Sequence, residues 1–294
     1  MELWFLYAIG AAVFAALTTI LAKIGLKDVN SHVATAIRTV VVLVFAWIIA
    51  VISGAIDGFS AIDSRTWIFM ILSAFATGGS WLCYFRALQL GDVNKVVPID
   101  KSSTILTMLL AFIFLNEPVG IVTIIGMVLM GFGTWLMLEF KPQTDDKQPK
   151  PQQNWLLFAI LAAVFASLAA IFSRIGVVGI DANLWTALRT TIAVPLALLM
   201  VLLTNSHKKE KRKKITTKTW IFLIAAGVAT GVSWLFFYHA LQLGHASHVV
   251  PIDKLSILGT MIFARLFLQE RFSWRSIGGL VLLTVGTLLP IFLS

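Results

Sequence analysis

A chain of 294 residues that is 59% hydrophobic and 13% charged, with a mean hydropathy of +0.90, is too apolar for an ordinary water-soluble domain, in which about a quarter of the residues are charged. The formal charge of +9 is concentrated: seven of the 23 Lys and Arg residues lie between Lys208 and Lys218, which reads as a cytoplasmic loop obeying the positive-inside rule rather than a nucleic-acid site. The single Cys83 excludes an internal disulfide and a multi-cysteine metal centre, and the five histidines show no ligand spacing.

In chain order, apolar stretches run at about 3–26, 31–53, 66–90, 94–115 and 119–138, then 154–177, 183–204, 218–243, 247–268 and 273–293. Each is close to the roughly 20 residues that cross a bilayer core. The expectation is an all-α polytopic membrane protein with ten transmembrane helices. The first stretch lacks the basic start of a signal peptide and reads as a retained helix. Residues 141–153, "KPQTDDKQPKPQQ", are polar and proline-bearing, and read as a linker between a five-helix unit at 1–140 and another at 154–294.

The two units are one sequence written twice. "AAVFAALTTILAKIGL" (11–26) matches "AAVFASLAAIFSRIGV" (162–177), and "TAIRT" (35–39) matches "TALRT" (186–190). "WIFMILSAFATGGSWLCYFRALQLG" (67–91) matches "WIFLIAAGVATGVSWLFFYHALQLG" (220–244), and "VVPIDKSS" (96–103) matches "VVPIDKLS" (249–256). The offset is 151 and then 153. An odd number of spans per unit makes the second unit enter the membrane from the opposite side, so the repeat is inverted. Charge supports one orientation. With the termini outside, Lys27, Lys95, Lys141, Lys147, Lys150, the 208–218 cluster, Arg271 and Arg275 are cytoplasmic, and the external loops hold only Arg65.

The fourth stretch of each unit ends in "FLNEP" (114–118) or "FLQER" (267–271). With five helices per half, these segments make the chain resemble the drug/metabolite transporter superfamily, in particular its ten-helix EamA-type members. Glu117 and Glu270 match the glutamate of the family's helix-end pattern, while Asn116 and Gln269 replace the glycine that usually precedes it. "PIDKSS" resembles a variant found in half-length relatives, so the chain looks like a fusion of two such units. The resemblance implies a carrier in which two bundles surround a cavity opening to either side in turn. It places the third, fourth, eighth and ninth helices around that cavity. Ten-helix relatives usually have cytoplasmic termini; here the charge distribution favours termini outside.

Ionisable groups at membrane depth are costly unless paired or hydrated, and point to function. Asp100, Lys101, Asp253 and Lys254 fall one to two turns into the fourth and ninth stretches, each pair behind a proline, Pro98 or Pro251. Adjacent helical residues diverge by about 100°, so an acid and its neighbouring lysine cannot both face one cavity fully. They are read as substrate or coupling-ion groups, against the alternative of pins between helices with Arg38, Arg189 or Arg86 as partners. Arg38 and Arg189 lie about two turns into the second and seventh stretches and are candidates to grip a carboxylate or phosphate. Arg86 and Arg174, near helix ends, are read as snorkelling to headgroups. Ser80, Trp81 and Tyr84, with Ser233, Trp234 and Tyr238, offer hydroxyls and aromatic faces on matching helices, against an equally simple reading as packing. Glu117 and Glu270 read as structural. Gly126, Gly131, Gly133, Gly278, Gly279 and Gly286 read as close-packing faces.

The sequence therefore predicts a secondary active transporter of a small polar metabolite, amino-acid-like or an organic ion, working by alternating access and driven by an ion gradient or exchange. The expected partners are a small-molecule substrate and membrane lipids, with a homodimer allowed and no nucleic acid. The expected location is a bacterial or archaeal plasma membrane. There is no nucleotide-binding loop, and no cofactor or metal is expected. Two alternatives stay open: a flippase for a lipid-linked headgroup, and an intramembrane aspartyl enzyme using Asp100 and Asp253.

Overall fold

The computed structural model describes residues 2–25, 29–90, 96, 99–137, 154–204, 216–268 and 273–293. Lys27, Lys95, Pro98, most of the basic cluster at 208–218, the 141–153 linker, Gln269, Glu270 and Arg271 lie outside the described residues, and with them the expectations they carried. Among the described residues there are α-helices and no strand. The helices are α1 (Leu3–Gly25), α2 (Ser31–Ile52), α3 (Ser64–Leu90), α4 (Ser103–Phe114), α5 (Ile121–Met137), α6 (Trp155–Val177), α7 (Ala182–Leu203), α8 (Thr217–Leu243), α9 (Ala246–Lys254), α10 (Ser256–Leu268) and α11 (Trp274–Leu293). Seven are long and apolar enough to cross a membrane, namely α1, α2, α3, α6, α7, α8 and α11, and α5 is a shorter apolar helix. A short 3-10 helix, Ala55–Ala61, interrupts what reads in the sequence as a plain loop; it follows Gly54, whose φ of 72° suits a residue without Cβ.

Helix starts repeat with the sequence. Asn30 Oδ1 accepts the His32 N–H at the head of α2, and its equivalent Asp181 accepts the Asn183 N–H at the head of α7. Asp63 accepts the Thr66 N–H at the head of α3, and Thr216 the Thr219 N–H at the head of α8. Each cap supplies an acceptor for a backbone donor the helix itself cannot satisfy. Hydroxyls inside the helices bond back to their own backbone, as Thr39 does to Thr35 and Thr186 to Ala182, so they add no unsatisfied polar group in lipid. Outward faces carry exposed Val13, Ile48, Ile68, Val128, Ile160, Leu199, Ile224 and Val281, the surface a hydrocarbon solvent favours.

The ninth predicted span is broken. Leu255 separates α9 from α10, and its N–H bonds back three residues to Ile252 O, tightening the turn. Ser102, at the equivalent position, precedes α4 in the same αR conformation. Each break follows the Asp–Lys pair of its motif.

The most extensive helix contacts join the two units: α3 with α6, α1 with α8, α2 with α7 and α5 with α11. Ser80 Oγ donates to Ala162 O at 3.0 Å across α3 and α6; its equivalent Ser233 donates to Ala11 O at 2.8 Å across α8 and α1. The units are thus interlocked, rather than two finished bundles set side by side, because each helix finds its close-packing face on the other unit. Small residues permit this. A Cβ on Gly126 would lie 2.6 Å from Gly286 O, and one on Gly133 2.6 Å from Gly279 O, so α5 and α11 cross antiparallel with their backbones touching. Gly278 departs from the expectation: nothing lies within 4 Å of its Cβ position.

Candidate functional site

The site is a cavity of about 290 Å³ at the centre of the interlocked helices, near the lower end of the range for small-molecule pockets. α3 contributes Thr77 and Trp81, α4 Ser103 and Thr107, and α6 Ala166, Ala169, Ala170 and Ser173. Arg189 comes from α7, Ser233, Trp234, Phe237 and Tyr238 from α8, and Asp253 and Lys254 from the end of α9. The helix break puts the Asp–Lys pair at the cavity wall while α10 continues past it.

Arg189 is the dominant charge. It is 4% exposed. Its Nε donates to Ser73 Oγ at 3.1 Å and its Nη2 to Thr77 Oγ1 at 2.5 Å. The guanidinium lies 5.9 Å from the Trp234 ring centroid and 5.4 Å from that of Tyr238. Two neutral hydroxyls and two aromatic faces fix its position, and among the described residues no carboxylate lies within 4.0 Å of it. Asp253 and Lys254, by contrast, pair with each other at 3.7 Å. The cavity wall therefore holds one compensated pair and one positive charge without an anionic partner.

The sequence-predicted residues divide unevenly. Trp81, Trp234, Ser233, Tyr238, Arg189, Asp253 and Lys254 meet at the cavity. Ser80 is buried with its hydroxyl given to Ala162, and it lies outside the walls. Ser233 lines the cavity but gives its hydroxyl to Ala11. Tyr84 packs beside Phe85 within electrostatic range of Asp100, away from the cavity. Arg38 sits in the contact between α2 and α8, where its carbonyl faces Gly227. Asp100 and Lys101 are absent from these walls, so of the two PIDK motifs the second lines the cavity. Phe237, the equivalent of Tyr84, also lines the cavity; Ser73, Thr77 and Thr107 were not singled out from sequence. The spacing of Ser73 and Thr77, one turn apart on α3, was the available signal, but only the fold turns that face toward Arg189.

A second hollow, about 380 Å³, lies at one end of the molecule and is lined by Asp63, Arg65, Thr66, Leu115, Glu117, Arg174 and His245 among others. Packed side chains separate it from the cavity. On α3 the cluster residue Met70 stands between Thr66 of the vestibule and Thr77 of the cavity, and on α4 Ala111 stands between Thr107 of the cavity and Leu115 of the vestibule, whereas on α6 the cavity-lining Ser173 is followed directly by Arg174 of the vestibule. Trp185 and Tyr238 complete this seal, with rings 6.2 Å apart. Glu117 is buried and accepts the backbone N–H groups of Ala246 (2.7 Å) and Ser247 (2.8 Å), so a carboxylate of the first unit caps the broken helix of the second. Its structural reading from sequence holds, but its partner is on the opposite unit.

Sequence comparison places this architecture. Residues 2–139 and 153–292 each match the EamA-like transporter family, and the chain belongs to that family. A protein named "Uncharacterized transporter in cobO 3'region" from Sinorhizobium sp is 42% identical over 137 residues, which is 97% of that protein and 47% of this chain. An uncharacterized transporter from Archaeoglobus fulgidus is 24% identical over 289 residues, covering 97% of this chain and 96% of its own length. One crystal structure superposes with a TM-score of 0.78 at 16% identity, covering 97% of this chain and 95% of that one, which is a likeness of fold. The chain is an integral membrane transporter of the drug/metabolite superfamily.

Proposed function

We propose that the chain is a secondary carrier for a small metabolite bearing a carboxylate, either a zwitterion of the amino-acid type or an organic anion. The observation that supports this is Arg189: a guanidinium in the cavity wall, oriented by Ser73 and Thr77, with no carboxylate within 4.0 Å among the described residues. A bidentate carboxylate is the ligand that geometry suits. Trp81 and Trp234 supply flat walls for the apolar part of such a molecule. The Asp253–Lys254 pair would meet an ammonium or a coupling proton in the same space.

Alternating access is the reading that the inverted repeat supports, with Met70, Trp185 and Tyr238 packed between the cavity and the vestibule. In the opposite state the units exchange roles, and Arg38, Asp100 and Tyr84 come to occupy settings like those of their equivalents. Charge distribution favours an orientation with the vestibule and both termini outside and the 205–218 loop in the cytoplasm. Transport is driven by an ion gradient or by exchange.

The test is counterflow in proteoliposomes. Vesicles preloaded with amino acids, organic anions, organic cations or nucleobases are assayed for saturable exchange. Exchange confined to carboxylate-bearing compounds is expected. Saturable exchange of cations or nucleobases alone would overturn the reading.

A further inference from the structure

Lys101 is an intramembrane cation that the cavity does not use. Among the described residues its ammonium makes no hydrogen bond and no ion pair within 4.0 Å, although Asp100, Asp253 and Lys254 are within electrostatic range. Such a charge is costly unless something compensates it. Lys101 instead faces a separate cleft of about 80 Å³, between the α5–α11 pair and the segments just after the two PIDK motifs. The opposite wall carries Lys254, the repeat equivalent of Lys101. The cleft straddles the axis that exchanges the two units: Met130 faces it with its equivalent Leu283, and Thr134 with its equivalent Thr287. Ser102 and Thr104 add two more hydroxyls. Asp100 and Asp253 do not line it, so among the described residues its wall presents two lysines, four hydroxyls and no carboxylate; the Ser102 and Thr287 hydroxyls donate to Ile99 O and Leu283 O.

We propose that this cleft is an anion site distinct from the Arg189 cavity, taking a singly or doubly charged group no larger than a phosphate. Two lysines lining a space with room for more than one water, with the Thr104 and Thr134 hydroxyls beside them, are an arrangement that can replace the hydration of a small anion. Lys254 lines both hollows. An anion in the cleft therefore competes with Asp253 for Lys254, and releases the Asp253 carboxylate toward the cavity. Anion occupancy and the charge state of the substrate cavity are linked through that one side chain. The site rests on the cleft alone, so it survives if the proposed substrate class is wrong.

The test uses the purified full chain in phosphatidylcholine nanodiscs, with thermal unfolding as readout. Sodium chloride and sodium phosphate are titrated against sodium gluconate at constant ionic strength. A second arm replaces part of the phosphatidylcholine with phosphatidylglycerol. A saturable rise in Tm with chloride or phosphate, weakened at least tenfold in Lys101→Gln and restored in Lys101→Arg, supports a free-anion site. A rise with phosphatidylglycerol alone, with the same dependence on Lys101, supports the site and identifies a lipid phosphate as its occupant. Thr134→Val keeps both lysines and should weaken the response several-fold, which covers the case in which Lys101→Gln does not fold. No saturable response in either arm, or one unchanged by Lys101→Gln and Thr134→Val, overturns the proposal.

Discussion

Gly126 of α5 and Gly286 of α11 touch through their backbones, and the equivalents of each, Gly279 and Gly133, touch in the same way further along the crossing. The exchange of equivalents is the signature of an antiparallel pair on a twofold axis, and it makes the inverted repeat visible at single residues. A Cβ at Gly126 has nowhere to go, because the atom it meets is a main-chain carbonyl. Gly126→Ala should lower stability by about 1–3 kcal/mol, the usual cost of overpacking. Gly278→Ala, with open space at its Cβ position, should change it little. Unfolding midpoints of the two variants in one detergent check the pair.

Glu117 should behave as a clamp between units. Glu117→Ala leaves the N–H groups of Ala246 and Ser247 without an acceptor in a buried setting and should cost about 2–4 kcal/mol, taking about 1–3 for each orphaned donor with partial relaxation. Glu117→Gln keeps one acceptor and should lose about half as much. Hydrogen exchange at Ala246 and Ser247 should rise in the alanine variant before global unfolding.

The two PIDK motifs should not be equivalent in substrate binding. Asp253 lines the cavity and Asp100 does not. In this conformation Asp253→Asn should weaken binding of a zwitterionic substrate about tenfold, some 1.4 kcal/mol, and Asp100→Asn should leave it nearly unchanged. Equilibrium binding to protein held in one state by an inhibitor or antibody fragment separates them; equal effects would contradict the placement.

Asp63, at the exposed head of α3, is held below the usual carboxylate range by hydrogen bonds from the Thr66 side chain and backbone. A depressed folded pKa contributes stability above the unfolded value, and that contribution is lost as pH falls through the folded value. Asp63→Asn should therefore lower stability slightly at neutral pH and flatten the acid limb of the profile, so that parent and variant converge below the ordinary carboxylate range. Unfolding midpoints across an acid series check this.

Much of this was legible in the sequence because membrane helices announce themselves by length and apolarity, and because a duplicated unit reports its equivalents by alignment. The glycine crossing of α5 and α11 and the aromatic walls at Trp81 and Trp234 were visible in that way. The break at Leu255 was only half legible: Pro251 signals a weakened helix, but not that the helix stops at Lys254 and resumes at Ser256. The partners of Arg189 and Glu117 were not legible, because both contacts cross between elements far apart in sequence. Repeat symmetry also misled. It treats Arg38 as Arg189 and Asp100 as Asp253, whereas a carrier in one conformation must set its two halves differently.

The most direct test concerns Arg189. Binding of a transported carboxylate and of its primary amide should be compared in the parent, Arg189→Lys and Arg189→Gln, with thermal unfolding as a check on folding. The account predicts that the parent prefers the carboxylate by tenfold or more, that lysine retains part of that preference, and that glutamine abolishes it. A folded Arg189→Gln protein that still prefers the carboxylate as strongly as the parent would contradict it.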